Sequence, residues 1–416
     1  MPEFGGREKF IPLRRHELVE WLCADEACRP EERDAFRRLC SHLFAVLHVR
    51  FHRRFEELKT AYDPFDPDTD MEPLLRLSAD EKQKRLNALH KDFAWLMNRA
   101  NFVHLSREEI EPSLKEASEW GIHVRVDFSA FEHLAIFARG DVLLPRTRRR
   151  LRRLYRPEPT KASCYQRLVM ILKLRPKHDY GPDVNTECVF LKIFKDIPKL
   201  DVKMLLPTAR VRLSNLDRGR IGLPLVSGIA VAIYNLTAEV LEKLAQVFVE
   251  WNNPLLLWGI ATGGISYGYR SYYGYQQMKQ QYHLTLTKSL YYQNLDSNAG
   301  VLFRLFDEAE EQECREAMLA YFLLWKKAGP EGWTASDLDQ FVEPYLEDSV
   351  HVPIDFETSA ALAALERLKL VERNGERWRA RSIDQALQLL VAAWDCLLQD
   401  ECAPSQLLRT SAVTRG

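Results

Sequence analysis

The chain has 416 residues, 46% of them apolar and 28% charged, with a formal net charge of −1. So much apolar side chain supports packed cores and excludes wholesale disorder, and the length allows two or three domains. The near-zero balance excludes a global attraction to nucleic acid or acidic lipid, so any such attraction must come from a local patch. The eight cysteines are scattered without a CxxC pair, which argues against a zinc ribbon or a thioredoxin-like site. Scattered thiols fit a reducing compartment, with a disulfide left open.

Residues 1–120 read as an N-terminal helical region. The opening MPEFGGREKFIPLRRHEL lacks the apolar stretch of a signal peptide, and Glu3 and Glu8 argue against an acid-poor transit peptide. Phe36, Leu39, Cys40, Leu43, Phe44 and Leu47 recur at helical spacing, continued by Phe51, Phe55 and Leu58. The run YDPFDPDTD, from Tyr62 to Asp70, then breaks the helix. Its Asp66, Asp68 and Asp70 resemble the start of a calcium loop. Met71 replaces the turn glycine, however, and Leu77 stands where a bidentate Glu belongs, so an Asx/Pro turn accounts for it better. A further helix is expected from Ala79 to Asn98. Ser106 and Glu109 form a capping-box pattern for another, Glu108 to Trp120.

Residues 121–220 read as a small α+β domain with an antiparallel sheet. Short strands are expected at Ile122–Phe128, Leu134–Arg139, Arg167–Leu174 and Glu187–Phe194, with a short helix near Leu200–Leu206. Between them Pro145 to Arg156 reads PRTRRRLRRLYR, seven arginines without an acid. A solvated loop or helix face explains it. So would contact of Arg146, Arg148, Arg149, Arg150, Arg152 and Arg153 with anionic headgroups, each contributing about 1 kcal/mol. No recognition fold or stacking pattern supports nucleic-acid binding.

Two charge-free stretches follow, Ile221–Ala238 and Trp251–Tyr269. At about 20 residues each they suit a membrane helix, and residues 221–269 are expected to form a helical hairpin; a pair of buried helices in a soluble core is the alternative. Basic flanks around an acidic loop favour the hairpin with both termini cytoplasmic. Small residues at helical spacing, Gly228 with Ala232, Gly259 with Gly263 and Gly264 with Gly268, suit close helix packing in lipid. Tyrosines at 267, 269, 272, 273 and 275 suit an interfacial belt.

Residues 270–306 read as a helical connector, 307–400 as a winged-helix-like domain and 401–416 as a disordered tail. The winged-helix pattern comprises a helix through Ala317–Trp325, a second from Thr334, a third at Glu357–Leu368, a hairpin turning at Asn374-Gly375, and a closing helix at Ile383–Leu398. From Asp307 to Asp400 there are 20 acids against nine Lys or Arg, a net of −11. DNA would repel that surface, so the domain is read as a platform for a protein partner.

No catalytic, metal or cofactor site emerges. His48 and His52 with Glu56 are ringed by arginines, and the glutamates at 308–316 lack an ExxH partner, Glu311 and Arg315 reading as an ordinary helical ion pair. Taken together, EKFIPL (8–13), YDPFDPD (62–68), FKDIP (194–198), LLP (205–207), IGLP (221–224), the stretch Gly300–Leu324 and Trp394-Asp395 resemble the domain-of-unknown-function 3754 family, whose animal representative is transmembrane protein 143. The resemblance implies a membrane protein with a central hydrophobic pair and implies no activity. The animal member is mitochondrial; here the absence of a presequence suggests a bacterial cytoplasmic membrane.

The expectation is therefore an α+β, multi-pass membrane protein: N-terminal helices, a small antiparallel sheet domain, a central transmembrane hairpin and a C-terminal winged-helix-like domain. It would act as a non-enzymatic membrane-anchored adaptor, with the bilayer and a protein as partners, no nucleic acid, no cofactor, and homo-oligomerisation open. The alternative is a peripheral lipid-handling protein or enzyme working through Arg146–Arg156.

Overall fold

The computed structural model describes residues 3–4, 7–70, 77–106, 123–149, 157–176, 185–212, 273, 280 and 291–398. It is a mixed α/β fold in which helices cover one face of an antiparallel sheet. The N-terminal helices are α1 (Arg15–Ala24), α2 (Pro30–Tyr62) and α3 (Ala79–Arg99). Pro30 sits at the start of α2, where its missing N–H costs nothing, and Glu31 and Glu32 complement the positive helix end. Ser78 and Glu81 close a capping box on α3.

The sheet runs β1 (Glu3–Phe4), β4 (Phe131–Arg149), β5 (Pro157–Leu174), β6 (Val189–Pro198), β8 (Asn294–Ser297), all antiparallel, with β2 (Val103–His104) also pairing on β4. Strand alternation sorts its side chains. Phe137, Val169, Ile171, Val189, Leu191 and Ile193 face a core built with α2, α3 and the helix that follows β8. Ile136, Ala138, Leu168, Met170 and Leu172 face the other way, onto Val202 and Leu206 around the 3-10 helix Lys199–Leu205. A separate pair, β3 (His123–Val126) and β7 (Ala209–Arg212), lies beside it.

That helix after β8 is α4 (Ala299–Lys326), and from Gln312 to Leu324 every residue is buried. A helix enclosed on all sides is a structural axis. Its last turns pack into the largest core, together with α1, the first half of α2 and the C-terminal elements β9 (Trp333–Thr334), α5 (Ala335–Val350), α6 (Thr358–Arg367), β10 (Val371–Asn374), β11 (Arg377–Ala380) and α7 (Ile383–Leu398). The three C-terminal strands pair antiparallel in the order β10-β11-β9, with Asn374-Gly375 at the turn. Gly332, just before β9, has φ +73, and a Cβ there would meet the Trp378 carbonyl oxygen at 2.5 Å, so only glycine fits. These C-terminal elements share a core with residues 11–47 and are therefore packed into the rest of the chain.

Several expectations are corrected. The membrane reading is not supported: among the described residues no helix is long and apolar enough to cross a membrane. The transmembrane hairpin, the multi-pass placement in a bacterial cytoplasmic membrane and the membrane anchor lose their support with it. The stretch 221–269 lies outside the described residues, as does the helix expected at 108–120. The hairpin expectation rests above all on length and lack of charge, and Pro224, Asn252, Asn253, Pro254 and four glycines make both stretches weak spans. Leu134–Arg139 is no short strand, because β4 continues to Arg149. The connector 270–306 is expected to be helical, yet Asn294–Ser297 forms a strand before α4. Cys23, Cys28, Cys40, Cys164, Cys188 and Cys314 are free and buried, while Cys396 is disulfide-bonded.

Candidate functional site

The densest polar chemistry among the described residues lies where the N-terminal segment crosses α4. Glu308, Gln312 and Glu316 stand at i, i+4 and i+8 and so share one face of that helix. Gln312 is 1% and Glu316 3% exposed, and the segment 8–13 passes directly over them. Gln312 Nε2 donates to the Lys9 carbonyl (3.2 Å) and to Glu316 (2.6 Å), and its Oε1 accepts from the Ile11 N–H (3.3 Å). Arg315 donates to the carbonyls of Ile11 (3.0 Å) and Leu13 (2.6 Å). Asn101, in the left-handed conformation that Asn tolerates, follows the end of α3 and donates to Lys9 O (2.8 Å) and Glu316 (2.9 Å).

Arg139 enters from β4. Its guanidinium binds the Ala100 carbonyl (3.0 Å) and Glu308 (2.6 Å) and lies 4.3 Å from the Phe10 ring centroid, with Arg315 over the same ring at 4.6 Å. Phe10 thus contacts two buried cations, an arrangement that gains strength when water is excluded. Gly140 makes the next contact possible. It has φ +77, and a Cβ would stand 2.7 Å from Gln166 Cβ and 3.2 Å from Glu8 Oε2. Without that Cβ, Glu8 reaches in to accept the Asp141 N–H at 3.0 Å. Main-chain bonds from Glu8 to Pro353 and Asp355 fasten the other side.

Electrostatics separates these groups. Burial pushes the Glu316 carboxyl up to about 8, against the two amides that bond its charged form. Burial also raises Glu8, opposed by its bond from Asp141 N–H. Burial depresses Arg139, opposed by Glu308. Elsewhere on α4, Glu313 meets Arg367 (2.6 Å) and Arg99 (3.2 Å), and Glu310 meets His48 (2.9 Å). Glu311 pairs with Arg15 (3.4 Å), so the expected Glu311–Arg315 pair is not made. Arg315 Nε instead bonds the Glu311 carbonyl. The calcium-like run is a turn: Asp66 accepts the Asp68 N–H, and Asp68 accepts from Asn298, the residue before α4. Among the described residues no cluster of His, Cys, Asp and Glu is placed to hold a metal ion.

A second feature lies on α5. Trp333, Phe341, Tyr345 and Trp21 form a row of rings with successive centroids 5.0, 6.0 and 4.7 Å apart. Phe341 is 38% exposed, and Asp337, Pro344 and Asp348 share its helical face and are exposed. Sequence reading does not single out this row, although Phe341 with Tyr345 at i, i+4 beside acids is a legible signal. The helix in the recognition position, α6, begins beneath the N-terminal segment: Lys9 pairs with Glu357 (2.9 Å) and Asp355 (3.6 Å).

Of the residues singled out from sequence, Arg146, Arg148 and Arg149 stand on β4, opposite Thr160, Glu158 and Pro157. Arg150, Arg152 and Arg153 lie outside the described residues, as do Gly228, Ala232, Gly259, Gly263, Gly264 and Gly268. The model of a family described as a protein of unknown function, DUF3754, matches residues 142–300. No solved structure matches this chain.

Proposed function

We propose that this chain, which belongs over residues 142–300 to the DUF3754 family of proteins of unknown function, acts as an adaptor that holds a basic, partly apolar segment of a partner protein against the outer face of α5. The observation that carries this reading is the ring row Trp333, Phe341, Tyr345 and Trp21 with its exposed acids at Asp337 and Asp348. Rigid aromatic rings in a polar rim supply most of the energy of protein interfaces. A stretch with net −11 draws basic partners. The charged groups of the α4 junction support the same reading, because they are spent on holding the chain's own backbone. Affinity purification with the wild type and with Phe341→Asp tests it. A partner recovered by the wild type and lost by the variant supports the adaptor; equal recovery, or no partner from either, overturns it.

A second reading has its own observation. Pairing of β4 with β5 runs on to Arg149 and Pro157, past the last β1 contact at Leu143 and the last β6 contact at Cys164. Among the described residues the β4–β5 pair thus continues beyond its neighbours, and the sequence after β4 carries the remaining arginines. Such a ribbon suits peripheral contact with anionic headgroups. Sedimentation with phosphatidylserine vesicles, set against phosphatidylcholine vesicles and raised salt, tests it; equal binding to both lipids sinks it.

A further inference from the structure

Residues 3–4 and 8–13 are held the way a peptide-binding protein holds a ligand. The first two extend the sheet, Glu3 and Phe4 pairing antiparallel with Leu143 and Val142 of β4. Glu8 then forms a parallel bridge with Ile354, its N–H on Pro353 O and its carbonyl on Asp355 N–H. From Lys9 to Leu13 the main chain is read by side chains: carbonyls 9, 11 and 13 and the Ile11 N–H are all bonded by Asn101, Gln312 or Arg315. Side-chain pockets add selectivity, with the Phe10 ring against both Arg139 and Arg315 and Ile11 fully buried. Strand addition for affinity plus pockets for alternate side chains is a general mode of peptide recognition.

We propose that this cleft is a recognition site for an extended peptide of the pattern acidic–basic–aromatic–β-branched–proline, filled in the resting chain by Glu8–Pro12 and open to a partner peptide of that pattern when the segment lifts. The outer anchors are weak enough to permit lifting. Arg7 to Glu343 and Lys9 to Asp355 and Glu357 are partly exposed ion pairs. Such pairs change binding only modestly when lost. The strand pairings at either end are short, two residues on β4 and one bridge at Ile354. Once the segment lifts, Gln312, Arg315 and Asn101 lose main-chain partners, and any peptide that restores those bonds is favoured. This site is separate from the α5 face, and neither depends on the other.

The test uses the full chain and a labelled synthetic peptide of residues 3–13, read by fluorescence anisotropy. The tethered segment competes at roughly millimolar effective concentration, so the wild type should bind the peptide at least about tenfold more weakly than a Phe10→Ala/Ile11→Ala chain. A peptide carrying the same two alanines should lose binding to that variant. A variant with the wild-type circular dichroism spectrum that binds neither peptide, or binds both alike, overturns the proposal. Should the double variant fail to fold, Arg7→Glu/Lys9→Glu loosens only the outer anchors and is read against the same two peptides. Hydrogen exchange on the wild type is an independent check. The amides of Glu8 and Ile11 should exchange at least about tenfold faster than those of Leu319 and Ala320 in α4, since lifting needs no global unfolding. Equal rates would show that the segment leaves only when the protein unfolds, and would overturn the proposal.

Discussion

The α4 junction and the outer face of α5 make opposite use of similar residues. At the junction Glu308 meets Arg139, and Gln312, Arg315 and Asn101 are spent on the backbone of residues 9–13. On α5, Asp337 and Asp348 stand in solvent beside Phe341, whose ring is more than a third exposed. The difference teaches where to look for activity in such a chain. Buried polar groups that satisfy one another hold a segment of the chain itself, whereas an exposed ring edged by acids leaves its surface to solvent.

The comparison breaks most readily at Arg139. Replacing Arg139 with Ala leaves Glu308 with Arg167 alone, 4.0 Å away, takes a donor from the Ala100 carbonyl and removes a cation from Phe10. Removing one member of a buried pair typically costs about 3–5 kcal/mol. Urea unfolding should show a loss of that order; a loss under about 1 kcal/mol would mean that water reaches the junction and replaces the lost bonds.

Glu316 sharpens the comparison through pH. Its folded carboxyl is held up to about 8 by burial, above its unfolded value. The stability it contributes is therefore complete below about pH 4.5 and is lost as pH rises toward 8, since the folded state then holds a proton that the unfolded chain releases. The expected slope is about 1.4 kcal/mol per pH unit across that window. Glu316→Gln keeps a bonded amide without the titration, so its melting temperature should fall less between pH 5 and 8 than that of the wild type. Parallel curves would place the titration elsewhere.

How much of this is legible in the sequence follows from which signals are local. The stripe Phe36, Leu39, Cys40, Leu43 and Leu47 marks α2 because burial on a helix repeats every three to four residues, and Thr334 marks the start of α5 through its cap. The length of β4 is hidden because arginines within it break the alternation of apolar residues that identifies a strand. The junction is hidden for a different reason. Phe10, Asn101, Arg139 and Gln312 are far apart in the chain, and only folding brings them together. The polar positions 308, 312 and 316 at helical spacing are the one available hint, and in sequence they are lost among Asp307, Glu310, Glu311, Glu313 and Arg315.

Smaller effects test the α5 side. Thr334 accepts the Asp337 N–H while Asp337 accepts the Thr334 N–H, so Thr334→Ala should cost about 1 kcal/mol in thermal or urea unfolding. Because the cap sets the first turn of α5, which carries Asp337 on the face of Phe341, partner binding should weaken with it; binding that is unchanged would separate the helix end from the interface.

The smallest stability effect is expected on the ribbon. Arg148 and Arg149 pair with Glu158 and Pro157 through strand register, which is a property of the main chain. Arg148→Gln with Arg149→Gln keeps both peptide units. If strand register is all that these positions contribute, the unfolding free energy should move by no more than about 0.5 kcal/mol. Binding to phosphatidylserine vesicles should nonetheless drop, by about 1 kcal/mol for each arginine that lies near the headgroups. A stable variant with reduced vesicle binding would give the ribbon a role apart from the α5 face. A variant that is destabilised by more than about 1 kcal/mol would instead show that these arginines, like those around α4, are part of what holds the fold.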